Sequence, residues 1–179
     1  MTVQDLWTGK PLEGREGTYS VQLPAHGSGL YQIAGRFQLM PPPTPQPTPK
    51  PEGIVYEAED ALLSGGALLA MDHEGYSGKG FVAGYYQGTG QKTAFRVKSA
   101  EEGKRRAVFR FGNAMGSEQT LGLYVNGQFI QKVKFKDLGD WDNWDDSTVD
   151  LVLKKGTNQV ALQKDRDDGC INLDYLAVR

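Results

Sequence analysis

The 179-residue chain carries 20 Lys+Arg against 22 Asp+Glu, a net charge of −2, which gives no electrostatic case for binding nucleic acid or an anionic membrane surface. Its hydrophobic fraction of 39% is enough for one core, and no apolar run reaches the roughly eighteen residues that a membrane helix needs. One cysteine, Cys170, excludes an internal disulfide, and two histidines, His26 and His73, argue against a His-ligated zinc or a Ser-His-Asp arrangement.

The first ten residues lack the charged and apolar regions of a signal peptide. Residues 1–40 read as three short strands, over 3–7, 17–23 and 29–33, separated by glycine-containing turns. Tyr19, Val21 and Leu23 give the second strand one apolar side. Three such strands bury little alone, so the segment reads as a piece of another domain's sheet. Residues 41–53 hold seven of the chain's nine prolines. Proline has no N–H for a sheet ladder and favours polyproline II. This stretch is therefore a semi-rigid linker of roughly 40 Å, at about 3.1 Å per residue.

Residues 54–179 contain no proline and many glycines. After the opening run, short strand-like segments follow at 81–83, 93–97, 106–111, 121–125, 129–135, 147–153, 158–163 and 171–178, the spacing of a sandwich. Leu121, Leu123 and Val125, followed by Asn126 and Gly127, predict a hairpin whose two turn positions need positive φ. No long segment has a 3.6-residue apolar period. The pattern predicts an all-β domain, a β-sandwich of two antiparallel sheets in a jelly roll. Cys170, just before the last strand, reads as a small buried apolar residue.

The opening run, 54–60, and the closing run, 171–178, both read as strands and both carry acids. Glu57 and Glu59 share one face of the first, roughly 7 Å apart, and Asn172 and Asp174 share one face of the last. Carboxylates in an apolar strand need compensation, from solvent at an edge or from a hard cation such as Ca²⁺. The residues alone leave both readings open. The acidic loops 137–146 and 165–169 miss the EF-hand spacing and read as solvated.

Six blocks give the domain a family likeness: Tyr56 to Ala61 (Tyr-Glu-Ala-Glu-Asp-Ala), Gly75 to Val82 (Gly-Tyr-Ser-Gly-Lys-Gly-Phe-Val), Leu123 to Gly127 (Leu-Tyr-Val-Asn-Gly), Trp141-x-x-Trp144, Lys155 to Asn158 (Lys-Gly-Thr-Asn), and Asn172 to Leu176 (Asn-Leu-Asp-Tyr-Leu). In this order they make residues 54–179 resemble family 35 carbohydrate-binding modules. The resemblance implies a structural Ca²⁺ held by Glu57, Glu59 and Asp174, with a backbone carbonyl near Lys79. It implies a sugar site in loops at one end of the sandwich, with Asn172, an aromatic from Trp141 or Trp144, Tyr85 or Tyr86, and Asn113 as candidates. Asp165, Asp167 and Asp168 are candidates for a second Ca²⁺ that would bind uronic acids. Residues 1–40, through Asp5-Leu6-Trp7 and the Pro24-x-His26-Gly27 block, resemble the C-terminal β-domain of family 27 α-galactosidases, in which His26 would be a structural turn residue.

Together the resemblances imply a secreted, non-catalytic module that tethers a covalently linked glycosidase to plant polysaccharide. Galactose-bearing glycans such as galactomannan lead; uronic acids or a purely structural spacer are the alternatives. Glu57 and Glu59 meet the roughly 5–10 Å separation of a glycosidase pair, but the Ca²⁺ would occupy them, so no catalytic residue is expected.

Overall fold

Alternating apolar and polar residues let a strand bury one face, and residues 54–179 use that alternation in two facing sheets. The computed structural model describes residues 2–12, 23, 28–34 and 52–179. The chain divides into two units, Met1–Gln46 and Pro47–Arg179.

In the first unit, β1 (Thr2–Asp5) pairs antiparallel with β2 (Pro11–Leu12) and with β3 (Tyr31–Ala34). Asp5 organises the turn after β1. Its carboxylate accepts the N–H groups of Thr8 at 3.1 Å and Trp7 at 2.8 Å, which hold its carboxyl below the usual range. Leu6 and Trp7, expected in the strand, lie in that turn instead. Apart from Leu23, the strand expected over 17–23 lies outside the described residues. So do His26, Pro24 and the linker as far as Pro51.

The second unit contains β4 (Ile54–Glu57), β5 (Leu62–Ser64), β6 (Leu68–Ala70), β7 (Phe81–Ala83), β8 (Lys92–Ser99), β9 (Gly103–Gly112), β10 (Gln119–Val125), β11 (Gln128–Phe135), β12 (Asp145–Leu153), β13 (Gly156–Gln163) and β14 (Asn172–Val178). One sheet runs β11-β10-β13-β8-β5. The other runs β12-β9-β14-β7-β6, with β4 also pairing β14, and the pairings are antiparallel. Phe95, Leu123, Val133 and Leu162 from the first sheet meet Phe109, Leu153, Leu173 and Leu176 from the second in one buried core. Each such side chain contributes about 1.5–3 kcal/mol through burial. Phe111 and Phe135 pack edge to face across it, with ring centroids 4.9 Å apart. This is the expected β-sandwich.

Two details depart from simple alternation. Strand β4 ends at Glu57, and Ala58–Asp60 form a 3-10 turn, so Glu57 and Glu59 are not neighbours on one strand face as expected. Ala58 is fully buried, and its insertion into the core ends the strand. In β14 the register against β9 slips between Leu173 and Tyr175, leaving Asp174 as the extra residue of a bulge. Leu173 faces the core before the bulge and Leu176 and Val178 after it, while Tyr175 and Ala177 pack with Val108 on the other face. A bulge re-aims the side chain it displaces; Asn172 stands opposite Gly112 and Asp174 beside Arg110, two residues earlier in β9.

The hairpin β10–β11 turns at Asn126 (φ 51°) and Gly127 (φ 81°), the left-handed pair that a two-residue turn requires. A Cβ on Gly127 would meet nothing within 4 Å. Replacing Gly127 by Ala therefore tests backbone conformation alone. Urea denaturation should show a loss of about 1–2 kcal/mol with an unchanged slope; an unchanged stability would contradict the turn geometry.

Candidate functional site

The start of β14 separates two sites. Asn172 lines a cleft of about 240 Å³, and Asp174, two residues on, enters a carboxylate cluster.

The cleft is floored by Leu68, Ala70, Phe81 and Ala83 from β6 and β7. Trp141 and the 64% exposed Tyr86 supply aromatic surface. Asp72, His73 and Asn172 supply polar groups, and no lysine or arginine is among the described residues lining it. The apolar C–H face of a pyranose packs on an aromatic ring while amide, imidazole and carboxylate groups pair with its hydroxyls. The volume suits a single sugar ring rather than an enclosed chain. Two other hollows, of about 270 and 380 Å³, present no exposed aromatic side chain.

Two loops form one wall of the cleft and are tied together. Asp142 Oδ1 accepts the Glu74 N–H at 2.8 Å and lies 3.3 Å from His73 Nδ1. Trp144 Nε1 donates to the Glu74 carbonyl at 2.7 Å, and its ring meets Phe81 and Tyr76 edge-on. The two tryptophans thus differ: Trp141 lines the cleft, and Trp144 pins the loop behind it. Tyr76 is a packing residue of the same aromatic group, 5.5 Å from Phe81.

Two candidates belong to the framework. Tyr85 is fully buried and hydrogen-bonded to Thr93 at 2.6 Å, and burial pushes its hydroxyl up, so it offers no face to a sugar. Asn113 is equally buried, and its Nδ2 donates to the carbonyls of Ser117, Phe135 and Lys136, which fixes the chain after β9 and β11. Cys170, expected in the core, is only partly buried and lines the cleft. Asp72 and His73 sit in an irregular loop after β6, where no periodicity in the sequence places them.

The carboxylate cluster is built on the loop after β6. Ser77 donates its N–H to Asp174 Oδ1 at 2.8 Å, and its hydroxyl reaches Glu57 Oε2 at 2.7 Å and Asp174 Oδ1 at 3.1 Å. Lys79 donates its N–H, at 2.6 Å, to Glu59 Oε1. Gly78 (φ +63°) lies between the acids: a Cβ there would stand 2.1 Å from Glu59 Oε1 and 3.3 Å from Glu57 Cδ. Glu59 Oε2 and Asp174 Oδ2 are buried with no hydrogen-bond partner among the described residues, although Arg110 Nε lies 3.4 Å from the latter.

Burial pushes the Asp174 carboxyl up to about 6, against the opposing pull of Ser77 and Arg110. Burial also raises that of Glu57, with Glu59 and Asp60 adding repulsion. Among the described residues no three His, Cys, Asp or Glu side chains are gathered into a ready-made metal cage. The orphaned oxygens and the hard-oxygen donor set nevertheless fit a Ca²⁺ ion.

The acidic loop after β13 is internally satisfied. Asp168 pairs closely with Lys132 and accepts from Thr120 at 2.8 Å; these bonds overcome burial and lower its carboxyl. Asp165 accepts from Tyr124 and Gln163 at 3.0 Å. These partners, rather than solvent alone, balance the acids. Neither of these acids lines the cleft, and nor does Asp167.

The described residues hold no helix long and apolar enough to cross a membrane. The profile of the carbohydrate binding module family 35 matches residues 54–179. A cycloisomaltooligosaccharide glucanotransferase from Niallia circulans is 37% identical over 128 residues, covering 70% of this chain and 13% of that enzyme. An isomalto-dextranase from Arthrobacter globiformis is 27% identical over 97% of this chain and 28% of its own length. The structure of an Arthrobacter globiformis T6 isomalto-dextranase complexed with panose superposes with a TM-score of 0.67 at 26% identity, covering 99% of this chain and 29% of that one. A family 35 module from Clostridium thermocellum superposes with a TM-score of 0.66 at 28% identity, covering 70% of this chain and 95% of that one.

These comparisons do not support the α-galactosidase reading of residues 1–40: a relative matched over 97% of the chain is an isomalto-dextranase. Modules of this kind occur within multidomain carbohydrate-active enzymes, of which the chain spans only a small part. Through residues 54–179 the chain belongs to family 35 of the carbohydrate-binding modules, non-catalytic domains that bind saccharides.

Proposed function

We propose that residues 54–179 bind neutral gluco-oligosaccharides of the α-1,6-linked type and hold a covalently attached carbohydrate-active enzyme on such a glucan outside the cell. The observation that carries this reading is the cleft itself: Trp141 and Tyr86 beside Asp72, His73 and Asn172, with no cationic side chain among its described lining residues. A uronic acid brings a carboxylate, which Asp72 would repel; a neutral sugar brings only hydroxyls. The names of the relatives, an isomalto-dextranase and a cycloisomaltooligosaccharide glucanotransferase, favour glucose over the galactose first expected. Polymeric glucan is met outside the cell, which supports secretion of the parent enzyme. A single ring offers few atoms, so one site binds weakly and retention on a polymer comes from tethering.

A structural Ca²⁺ is part of this proposal. Glu57, Glu59 and Asp174 would hold it, with a backbone oxygen near Lys79, and its charge would compensate carboxylates that burial otherwise opposes. It would act on the fold and not on the sugar.

Two measurements test these assignments. In calorimetry, isomaltotriose should bind, whereas galactose and glucuronic acid bind more weakly. Trp141→Ala should weaken isomaltotriose binding roughly ten-fold. Heat with glucuronic acid alone would favour the uronic acid reading, and silence with all three would favour a spacer.

Without the ion, Asp174 has its carboxyl raised to about 6 in the fold, above its ordinary value of 3.8. The protonated form then favours the fold, so this contribution is present below about pH 4 and lost as pH rises through about 6. The gain in Tm on replacing EDTA by millimolar Ca²⁺ should therefore grow from near zero at about pH 4.5 to several degrees at about pH 7.5. The same Tm with and without Ca²⁺ at about pH 7.5 would remove the ion from the account.

A further inference from the structure

Among the described residues, every hydrogen bond made by the His73 ring falls on one nitrogen. Nδ1 faces Asp142 Oδ1 at 3.3 Å, and a carboxylate can only accept, so that bond places the proton on Nδ1. The same Asp142 oxygen is fixed by the Glu74 N–H, and the Asp142 N–H is in turn held by Asp140 at 2.9 Å. The ring is clamped as well: Trp141 stacks on it at 6.0 Å and 26°, and Phe81 lies at 5.7 Å. His73 lines the cleft with 27% of its side chain exposed, and Nε2 makes no hydrogen bond to a described residue.

We infer that His73 is a recognition residue whose Nε2 accepts a hydroxyl proton from the bound sugar, with Asp142 as the positioning residue that sets the tautomer. This rests on the cleft being the saccharide site. It adds a directional requirement to it: the ring atom facing the sugar takes a donated proton, so the site selects a neutral sugar that presents a hydroxyl there. A deoxy sugar, or one methylated at that hydroxyl, is rejected because Nε2 is left without a donor.

His73→Phe keeps an aromatic ring between Phe81 and Trp141 and removes both nitrogens, which separates the hydrogen bond from the packing. With isomaltotriose as the probe, calorimetry should show binding weakened roughly five-fold, with Tm close to that of the parent chain. On the unsubstituted protein, the imidazole nitrogen spectrum should show an Nδ1–H tautomer for His73, and isomaltotriose should shift the Nε2 resonance. The only other histidine, His26, provides the internal reference. If the parent chain binds isomaltotriose, equal affinity of His73→Phe together with an unmoved Nε2 resonance overturns the inference alone. If the parent chain binds no neutral sugar, the saccharide reading of the cleft falls and this inference falls with it.

Discussion

A carboxylate with no exposed surface sits at the junction of the sandwich's central strand and its loops. Asp174 is fully buried between Ser77 and Arg110, in a strand flanked by β9 on one side and β4 and β7 on the other. Burying a charge is unfavourable unless partners replace the lost water. The register slip leaves Asp174 as an extra residue beside those partners and places Leu176 and Val178 in the core with Leu173. The bulge therefore serves packing and charge compensation together, and the chain on its N-terminal side, at Asn172, is left facing the cleft.

The loop that compensates Asp174 is continuous with the loop that shapes the cleft. Ser77 and Lys79 bind the acids, while Glu74, three residues before Ser77, is held by Asp142 and Trp144. A cation at the acids would thus act on sugar binding through the order of this loop rather than by touching the sugar. That division of labour matches the charge of the cleft, which offers aromatic surface and hydrogen-bonding groups without a cationic side chain among its described lining residues.

The sandwich was legible because its strands are long and alternate: the eight runs read from residue 81 onward all correspond to strands, with ends moved by a few residues. The edge strands β5 and β6 were not: β7 is as short, but its first two residues are buried, whereas β5 and β6 are largely exposed and carry no buried run. Glu59 was misplaced on a strand because burial of Ala58, a tertiary effect, closes a 3-10 turn that local propensity does not announce. Asn172 and Trp141 could be singled out by residue type and likeness. Trp144, Tyr85 and Asn113 have the same types, and only burial and bonding show that they support the loops and core instead. Asp72 and His73 come to the cleft through loop geometry alone.

The sugar assignment turns on which aromatic ring meets the ligand. The chain has three tryptophans, Trp7, Trp141 and Trp144, each with one indole N–H that reports separately in a nitrogen–proton correlation spectrum. Titration with isomaltotriose should move the Trp141 signal in a saturable way and leave Trp7 and Trp144 nearly still. An unmoved Trp141 at saturating sugar, or a response confined to Trp7, would contradict the cleft as the saccharide site.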